Sequence, residues 1–130
     1  MKICILSGPY APQKCGISDY IELLINELNK RNIECIHTII DQNNPLSNIA
    51  ANLPNADLYS FQFAPYMISS TGFSGQNLYK LGKSLNNRNL HINFHEIWIG
   101  AYNGASYKEK LIGYLQKKDI HRFLSYSKPN

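Results

Sequence analysis

The sequence predicts a single α/β domain with a mostly parallel sheet and helices on both of its faces. A length of 130 residues suits one domain. Short apolar runs of strand type alternate along the chain with longer segments whose apolar residues recur at helical spacing. Alternation of this kind requires crossover connections, which keep the strands parallel and place helices on both faces of the sheet. The expected fold class is therefore Rossmann-like and doubly wound.

A strand and a helix are predicted to open the chain. The run "KICILS" at 2–7 is short, apolar and followed by a Gly-Pro pair, which is typical of a buried strand. Ser18 can cap the following helix, because its hydroxyl oxygen accepts a backbone N–H that has no partner inside the helix. The helix is expected to bury its residues at i, i+3, i+4 and i+7, which are Ile21, Leu24, Ile25 and Leu28.

Two further strands flank a short helix. The run "IECIHTII" at 33–40 predicts the second strand, which ends in the polar residues "DQNNP". The segment "LSNIAANL" at 46–53 predicts a short helix that ends before a proline. The run "DLYSFQF" at 57–63 then predicts the third strand.

The second half of the chain repeats the alternation. The segment "SGQNLYKLGKSLNNR" at 74–88 predicts a helix whose leucines at 78, 81 and 85 face inward, and "LHINFHEIWI" at 90–99 predicts the fourth strand. A final helix is expected from Tyr107 onward. A doubly wound half-domain normally continues into another strand, so we expect residues 1–130 to form one truncated domain.

Composition indicates a globular, cytoplasmic protein. Hydrophobic residues make up 44% and aromatic residues 12%, which is enough for a real core. The apolar runs are too short and interrupted for a membrane span or a signal peptide. Three cysteines without the spacing of a zinc site fit a reducing compartment and predict no metal. Cys4 and Cys35 are expected to be buried, and Cys15, in the first loop, is a candidate reactive thiol.

Positive charge is concentrated in the second half. Residues 1–65 hold four Lys and Arg against six Asp and Glu, whereas residues 66–130 hold nine against three. Much of the excess falls in the final helix, in "KEKLIGYLQKKDIHRF". This pattern fits either a solvated face or a helix that lies against anionic lipid or a phosphorylated substrate. A peripheral membrane contact is thus one expectation, and a nucleic-acid partner is not expected.

The position of a site follows from the parallel sheet. Ligands bind beyond the carboxyl ends of such strands, near the switch in strand order. The rule selects the loop at 8–20, Asp41, the segment 62–66 and the segment 95–98. The histidines at 37, 91 and 121 are interpreted as structural. In the first loop, Gly16 either lets a ligand approach the backbone or supplies a positive φ for the turn.

Cofactor motifs are missing from the first loop. A dinucleotide site has the pattern G-x-G-x-x-G between strand and helix, but this loop holds only Gly8 and Gly16. The phosphate-binding pattern G-x-x-x-x-G-K-[ST] is also missing from the sequence. No cofactor is therefore expected.

Three segments together resemble the N-terminal half of retaining glycosyltransferases with the GT-B fold, of the family 4 type. "LSGPYAPQKCGISDYIELLINEL" is similar to the family's first strand, "P…GG[IV]…" loop and helix, although Cys15 replaces the first glycine of the pair. "ADLYSFQFAPY" resembles the third strand, where Gln or His follows the apolar run. "INFHEIWIG" resembles the fourth strand with its "H-[DE]" pair. The likeness spans essentially the whole chain.

The resemblance implies an acceptor-binding half whose partner domain, the C-terminal one, holds the nucleotide-sugar and is absent from these 130 residues. The implied reaction transfers a glycosyl group to a glycan or lipid-linked acceptor with retention and needs no metal, and this half alone is expected to be inactive. By position, His95 matches the active-site histidine and Gly16 the loop glycine. Positions that match acceptor contacts are Ser18, Asp19, Gln62 and Glu96.

Two other classes of function remain open at this point. One is a non-catalytic doubly wound module that binds a small ligand or a protein. A receiver-like module needs clustered carboxylates at strand ends, where only Asp41 qualifies, and a flavodoxin-like phosphate loop is rich in Ser and Thr, unlike this one. The other class is a membrane-surface adaptor that uses the basic last helix.

Overall fold

The computed structural model describes residues 1–9, 16–41 and 43–129. The candidate thiol Cys15 lies outside the described residues. Within them the elements follow in the order β1 (Lys2–Ser7), α1 (Gly16–Lys30), β2 (Glu34–Ile39), α2 (Leu46–Ala51), β3 (Leu58–Phe63), α3 (Pro65–Ile68), α4 (Gln76–Ser84), β4 (Leu90–Phe94) and α5 (Tyr107–Ser127).

The four strands form one parallel sheet in the order β2-β1-β3-β4. Strand order switches between β1 and β3, because β2 is added on one side of β1 and the later strands on the other. Helix α1 packs on one face of the sheet, whereas α2, α4 and α5 pack on the opposite face. The predicted α/β, doubly wound fold with helices on both faces is therefore confirmed.

One face of the sheet carries most of the core. We call it the apolar face, and its residues on β3 and β4 are Tyr59, Phe61, Phe63, Leu90, Ile92 and Phe94. Phe61 is fully buried, and its ring lies 5.5 Å from that of Phe123 in α5, edge to face. The three leucines predicted to face inward from α4 are buried against this face. Burying one such side chain contributes about 2 kcal/mol or more.

The opposite face is apolar only beneath α1. Ile3 and Ile5 of β1 pack against Ile21, which is fully buried. Leu24, Ile25 and Leu28, the other residues predicted to face inward, are partly buried in the same cluster. The helical periodicity read from the sequence is therefore confirmed for α1.

Helix α5 is fixed by contacts at both of its carboxylates. The backbone N–H of Ser106 donates to the Glu109 carboxylate (2.7 Å) and the N–H of Glu109 donates to Oγ of Ser106 (3.3 Å), which together form a capping box. The carboxylate also accepts from the hydroxyls of Ser106 (2.7 Å) and Tyr102 (2.6 Å). These contacts lower the pKa of Glu109 to about 2, with the bond from Tyr102 as the largest cause. Asp119 accepts from the backbone N–H groups of Ser74 (3.2 Å) and Gly75 (2.9 Å) and so ties α5 to the residues just before α4.

Three local expectations need correction. Helix α1 begins at Gly16, so Ser18 lies buried within its first turn and is not the capping residue before it. Strand β4 ends at Phe94, since the chain then turns toward α5, where the N–H of Ile99 donates to Oε1 of Gln116 (2.9 Å). The short helix α3 was not predicted; it begins at Pro65, where the missing N–H of proline costs no helical hydrogen bond.

Candidate functional site

On the face of the sheet opposite the apolar face, β3, β4 and the residue after β4 carry a row of polar side chains. We call this row the polar ladder, and it consists of Ser60, Gln62, His91, Asn93 and His95. Register pairs Ser60 with His91 and Gln62 with Asn93. The backbone N–H of His95 donates to the carbonyl of Phe63 (3.0 Å), so the ladder reaches the carboxyl edge of the sheet. The end of the ladder at His95 therefore lies where parallel sheets bind ligands.

Hydrogen bonds connect the ladder from end to end. Oε1 of Gln62 lies 2.9 Å from Nε2 of His95 and accepts from Nδ2 of Asn93 (3.1 Å). Nε2 of Gln62 donates to Oγ of Ser60 (2.8 Å), which lies 3.2 Å from Nδ1 of His91. Gln62 is fully buried, and these contacts satisfy its amide at both ends.

The network determines which nitrogen of His95 carries the proton. An amide oxygen only accepts, so Nε2 of His95 must be the donor to Gln62. The 3.4 Å approach of Asn93 Nδ2 to the same nitrogen then joins two donors and is not a hydrogen bond. In the neutral ring, the lone pair resides on Nδ1.

Burial keeps this ring neutral. It lowers the pKa of His95 below its ordinary value of 6.5, while the nearby carboxylate of Glu96 acts in the opposite direction more weakly. The ring of Tyr20, in the second turn of α1, packs edge to face on that of His95 with centroids 5.5 Å apart. Two elements far apart in sequence thus hold one imidazole in a defined orientation.

Nδ1 of His95 makes no hydrogen bond within the part of the chain that the structure describes. A neutral imidazole in this state accepts a hydrogen bond from a hydroxyl or takes up its proton. The chemistry available at this edge is therefore recognition of a hydroxyl group or general base catalysis.

The other residues singled out from the sequence occupy different surroundings. Gly16 is the exposed first residue of α1, and within the described part of the chain no atom lies within 4 Å of a Cβ placed there. It lies about one turn before Tyr20, so α1 begins at the edge where His95 lies. Ser18 is buried, whereas Asp19 and Glu96 are exposed. The burial of Gln62 means that a ligand meets it only through His95 or Asn93.

Sequence reasoning did not single out Ser60, Asn93 or Tyr20 and treated His91 as structural. The available signal was the alternation of polar and apolar residues in "LYSFQF" and "LHINFH". A second polar pair was also missed: Nε2 of His37 lies 2.8 Å from Oγ of Ser7, at the carboxyl ends of β2 and β1. Burial lowers the pKa of His37 as well.

A hollow lies beside the strand switch, on the side of α3. It has a volume of about 300 Å³ and is lined by Pro9, Asp41 and the segment 66–70, among others. Oδ1 of Asp41 accepts from the backbone N–H groups of Asn43 and Asn44, both at 2.8 Å. The strand-end aspartate thus fixes the conformation of its own loop and also lines the hollow.

Across 1–9, 16–41 and 43–129, no three His, Cys, Asp or Glu side chains are grouped so as to hold a metal ion. No helix in these ranges combines the length and the apolar character needed to cross a bilayer.

Comparison with known proteins adds no family assignment. No protein-family model matches the chain, and no curated protein matches it either.

Proposed function

We propose that this domain binds the acceptor of a retaining glycosyltransferase, with a nucleotide-sugar held by a second domain. The observation that carries the proposal is the orientation of His95: an imidazole at the carboxyl edge of a parallel sheet, with Nε2 on Gln62 and Nδ1 without a hydrogen-bond partner among the described residues. The three segments that resemble family 4 enzymes support it, because the ladder residues Gln62 and His95 lie in two of them.

The chemistry of glycosyl transfer suits this arrangement. Sugars present hydroxyl groups, and an acceptor hydroxyl that donates to Nδ1 of His95 is held at a fixed position. The reaction passes through a cationic sugar with a departing phosphate, so polar groups that orient the sugar increase its rate. Tyr20 adds an exposed aromatic ring beside the imidazole, on which the apolar face of a sugar can pack.

Binding to the chain itself tests the acceptor assignment. We would titrate isotope-labelled protein with a panel of methyl glycosides and, separately, of nucleotide-sugars, and follow amide and imidazole NMR signals. At least one glycoside is expected to shift the signals of Tyr20, His95 and Glu96 together. Nucleotide-sugars should bind with millimolar dissociation constants at best, or about −4 kcal/mol. Micromolar affinity for a nucleotide-sugar would contradict the assignment of this domain to the acceptor.

A catalytic role for His95 is tested in a two-domain enzyme that contains this chain. Replacing His95 by Ala should lower turnover by about 10² to 10³, the usual cost of removing one positioned polar group. Melting temperature, measured in parallel, should fall only slightly, because the ring is partly exposed. Turnover within about threefold of the parent enzyme would make His95 a structural residue.

A further inference from the structure

We propose that the first half of α5 binds the surface of an anionic membrane. The surface concerned, which we call the outer face of α5, consists of Tyr107, Lys110, Leu111, Tyr114, Lys117 and Lys118. Positions 107, 111, 114 and 118 are separated by four, three and four residues, so they form one stripe along the helix. Lys110 and Lys117 flank this stripe on one side.

Large apolar side chains are exposed along the stripe. Tyr107 is 94% exposed, Leu111 61% and Tyr114 63%. The buried side of the helix is formed by other positions, with Gly113, Gln116, Ile120 and Phe123 facing the sheet and α4. Tyrosine and leucine in such positions are typical of helices that lie in a membrane interface, since the headgroup region accommodates both ring and hydroxyl.

The charge of this face is positive without compensation from its own helix. Both acidic residues of α5 are engaged elsewhere, Glu109 in the capping box and Asp119 at the start of α4. The lysines of the outer face therefore present their ammonium groups next to the exposed apolar stripe. Lysine side chains can extend along such a stripe and place their charge at the headgroup phosphates.

A shallow hollow lies at one side of this face, next to the segment 98–101. It has a volume of about 210 Å³ and is lined by Trp98, Lys110, Tyr114 and Lys117, among others. The ammonium group of Lys117 lies 5.3 Å from the centroid of the Trp98 ring. A hollow lined by aromatic rings and by two lysines suits a phosphate headgroup. At the far end of α5, by contrast, Arg122 already stacks on Tyr79 of α4.

Charge and apolar exposure together favour a bilayer over a polyanion such as RNA. A nucleic-acid backbone contacts the lysines but offers little to an exposed leucine or to the apolar part of the tyrosines. A bilayer surface satisfies both kinds of group at once.

Vesicle co-sedimentation of the 130-residue chain tests the proposal. One set of vesicles is pure phosphatidylcholine, and the other is an equal mixture of phosphatidylcholine and phosphatidylglycerol. Binding is expected for the mixed vesicles only and should weaken as salt is raised, because screening reduces each lysine's attraction to the surface. Binding to a short RNA is measured as a control, because RNA is a polyanion that offers no apolar phase.

Matched variants locate the binding face. The pair Lys110→Gln and Lys117→Gln should weaken vesicle affinity about 25-fold, since each lysine contributes about fivefold near such a surface. The pair Lys30→Gln and Arg31→Gln removes the same charge from the end of α1 and should change affinity less than about threefold. Leu111→Ser should weaken binding about tenfold, whereas Leu23→Ser, at an equally exposed leucine of α1 (65%), should not.

Several results would overturn the proposal. They are absence of binding to the mixed vesicles, equal loss from the two charge pairs, an unchanged affinity for Leu111→Ser, and tighter binding to the RNA than to the vesicles. Circular dichroism of each variant checks that these exposed substitutions leave the fold intact. Failure of vesicle binding leaves the glycoside titration unaffected, so the two proposals are separable.

Discussion

The two faces of β3 and β4 are built from alternate residues of the same strands but have different roles. On the apolar face, Phe61 and its neighbours are buried among the side chains of α4 and α5. On the other face, the polar ladder joins five side chains by hydrogen bonds and ends at a half-buried imidazole. Alternate residues of such a strand thus contribute to the core on one face and to the candidate site on the other.

The comparison teaches where stability and specificity reside. Burial of an aromatic side chain contributes several kcal/mol, whereas one intramolecular hydrogen bond contributes about 1 kcal/mol net, because water competes for both partners. The ladder is therefore not an efficient way to stabilise the sheet. What the hydrogen bonds of the ladder determine is the orientation and protonation state of His95. The packing of a core residue needs no such hydrogen bonds.

The largest effect is expected from the apolar face. Replacing Phe61 by Ala should lower the free energy of unfolding by about 3–5 kcal/mol, because it removes a fully buried ring and leaves a cavity. Urea denaturation measures the change. Ser60→Ala, at the preceding residue on the other face, is the matched control and should cost about 1 kcal/mol. Equal losses at the two positions would show that the faces do not differ as described.

A smaller and more selective effect is expected from Gln62→Leu. The substitution leaves the donors of His95 and Asn93 without their acceptor, which should cost about 1–3 kcal/mol of stability. The glycoside-induced shift of the His95 signals should also weaken, since the ring loses its fixed tautomer. Gln116→Leu is the control: this glutamine is equally buried, but it accepts from Ile99. It should lose comparable stability while the His95 signals keep their response.

Acid should reveal the two partly buried histidines, His37 and His95. Burial lowers the pKa of both His37 and His95 below 6.5, so the unfolded chain binds more protons than the folded one in that range. Their contribution to stability is then present above pH 6.5 and is lost as the pH falls through the folded-state values. Replacing both histidines by Gln should flatten this part of the curve of unfolding free energy against pH. An unchanged slope would show that groups other than these two histidines take up the protons in this pH range.

The smallest effect is expected from removing the Glu96 carboxylate. It partly opposes the effect of burial, so Glu96→Gln should lower the pKa of His95 further. An NMR titration of the imidazole measures the midpoint, and Asp41→Asn, at the end of a different strand, is the control. A rise in the midpoint of His95 on removing Glu96 would be the opposite of the expected sign.

Much of the fold was predictable because its signals are local. Runs such as "KICILS" and the spacing of leucines in α4 predict strand and helix from neighbouring residues alone. The positions of Gln62 and His95 near strand ends were also predicted, since strand ends are recognisable in the sequence, and their role as site residues stays a prediction. The hydrogen bond between Gln62 and His95 was not predicted, because it depends on the register of the sheet, which pairs Gln62 with Asn93 although they are 31 residues apart in sequence. The contact with Tyr20 likewise depends on how α1 crosses the sheet.

The tautomer of His95 is the most direct test of the central claim, that the ladder holds a neutral imidazole whose proton is on Nε2 and whose Nδ1 is unprotonated. Nitrogen NMR of the imidazole at neutral pH distinguishes the two nitrogens by their chemical shifts. We expect the shift of a protonated, pyrrole-type nitrogen at Nε2 and that of an unprotonated, pyridine-type nitrogen at Nδ1. In Gln62→Leu the two signals should move toward each other as both tautomers become populated. A charged ring, or a proton on Nδ1 in the parent chain, would contradict the account.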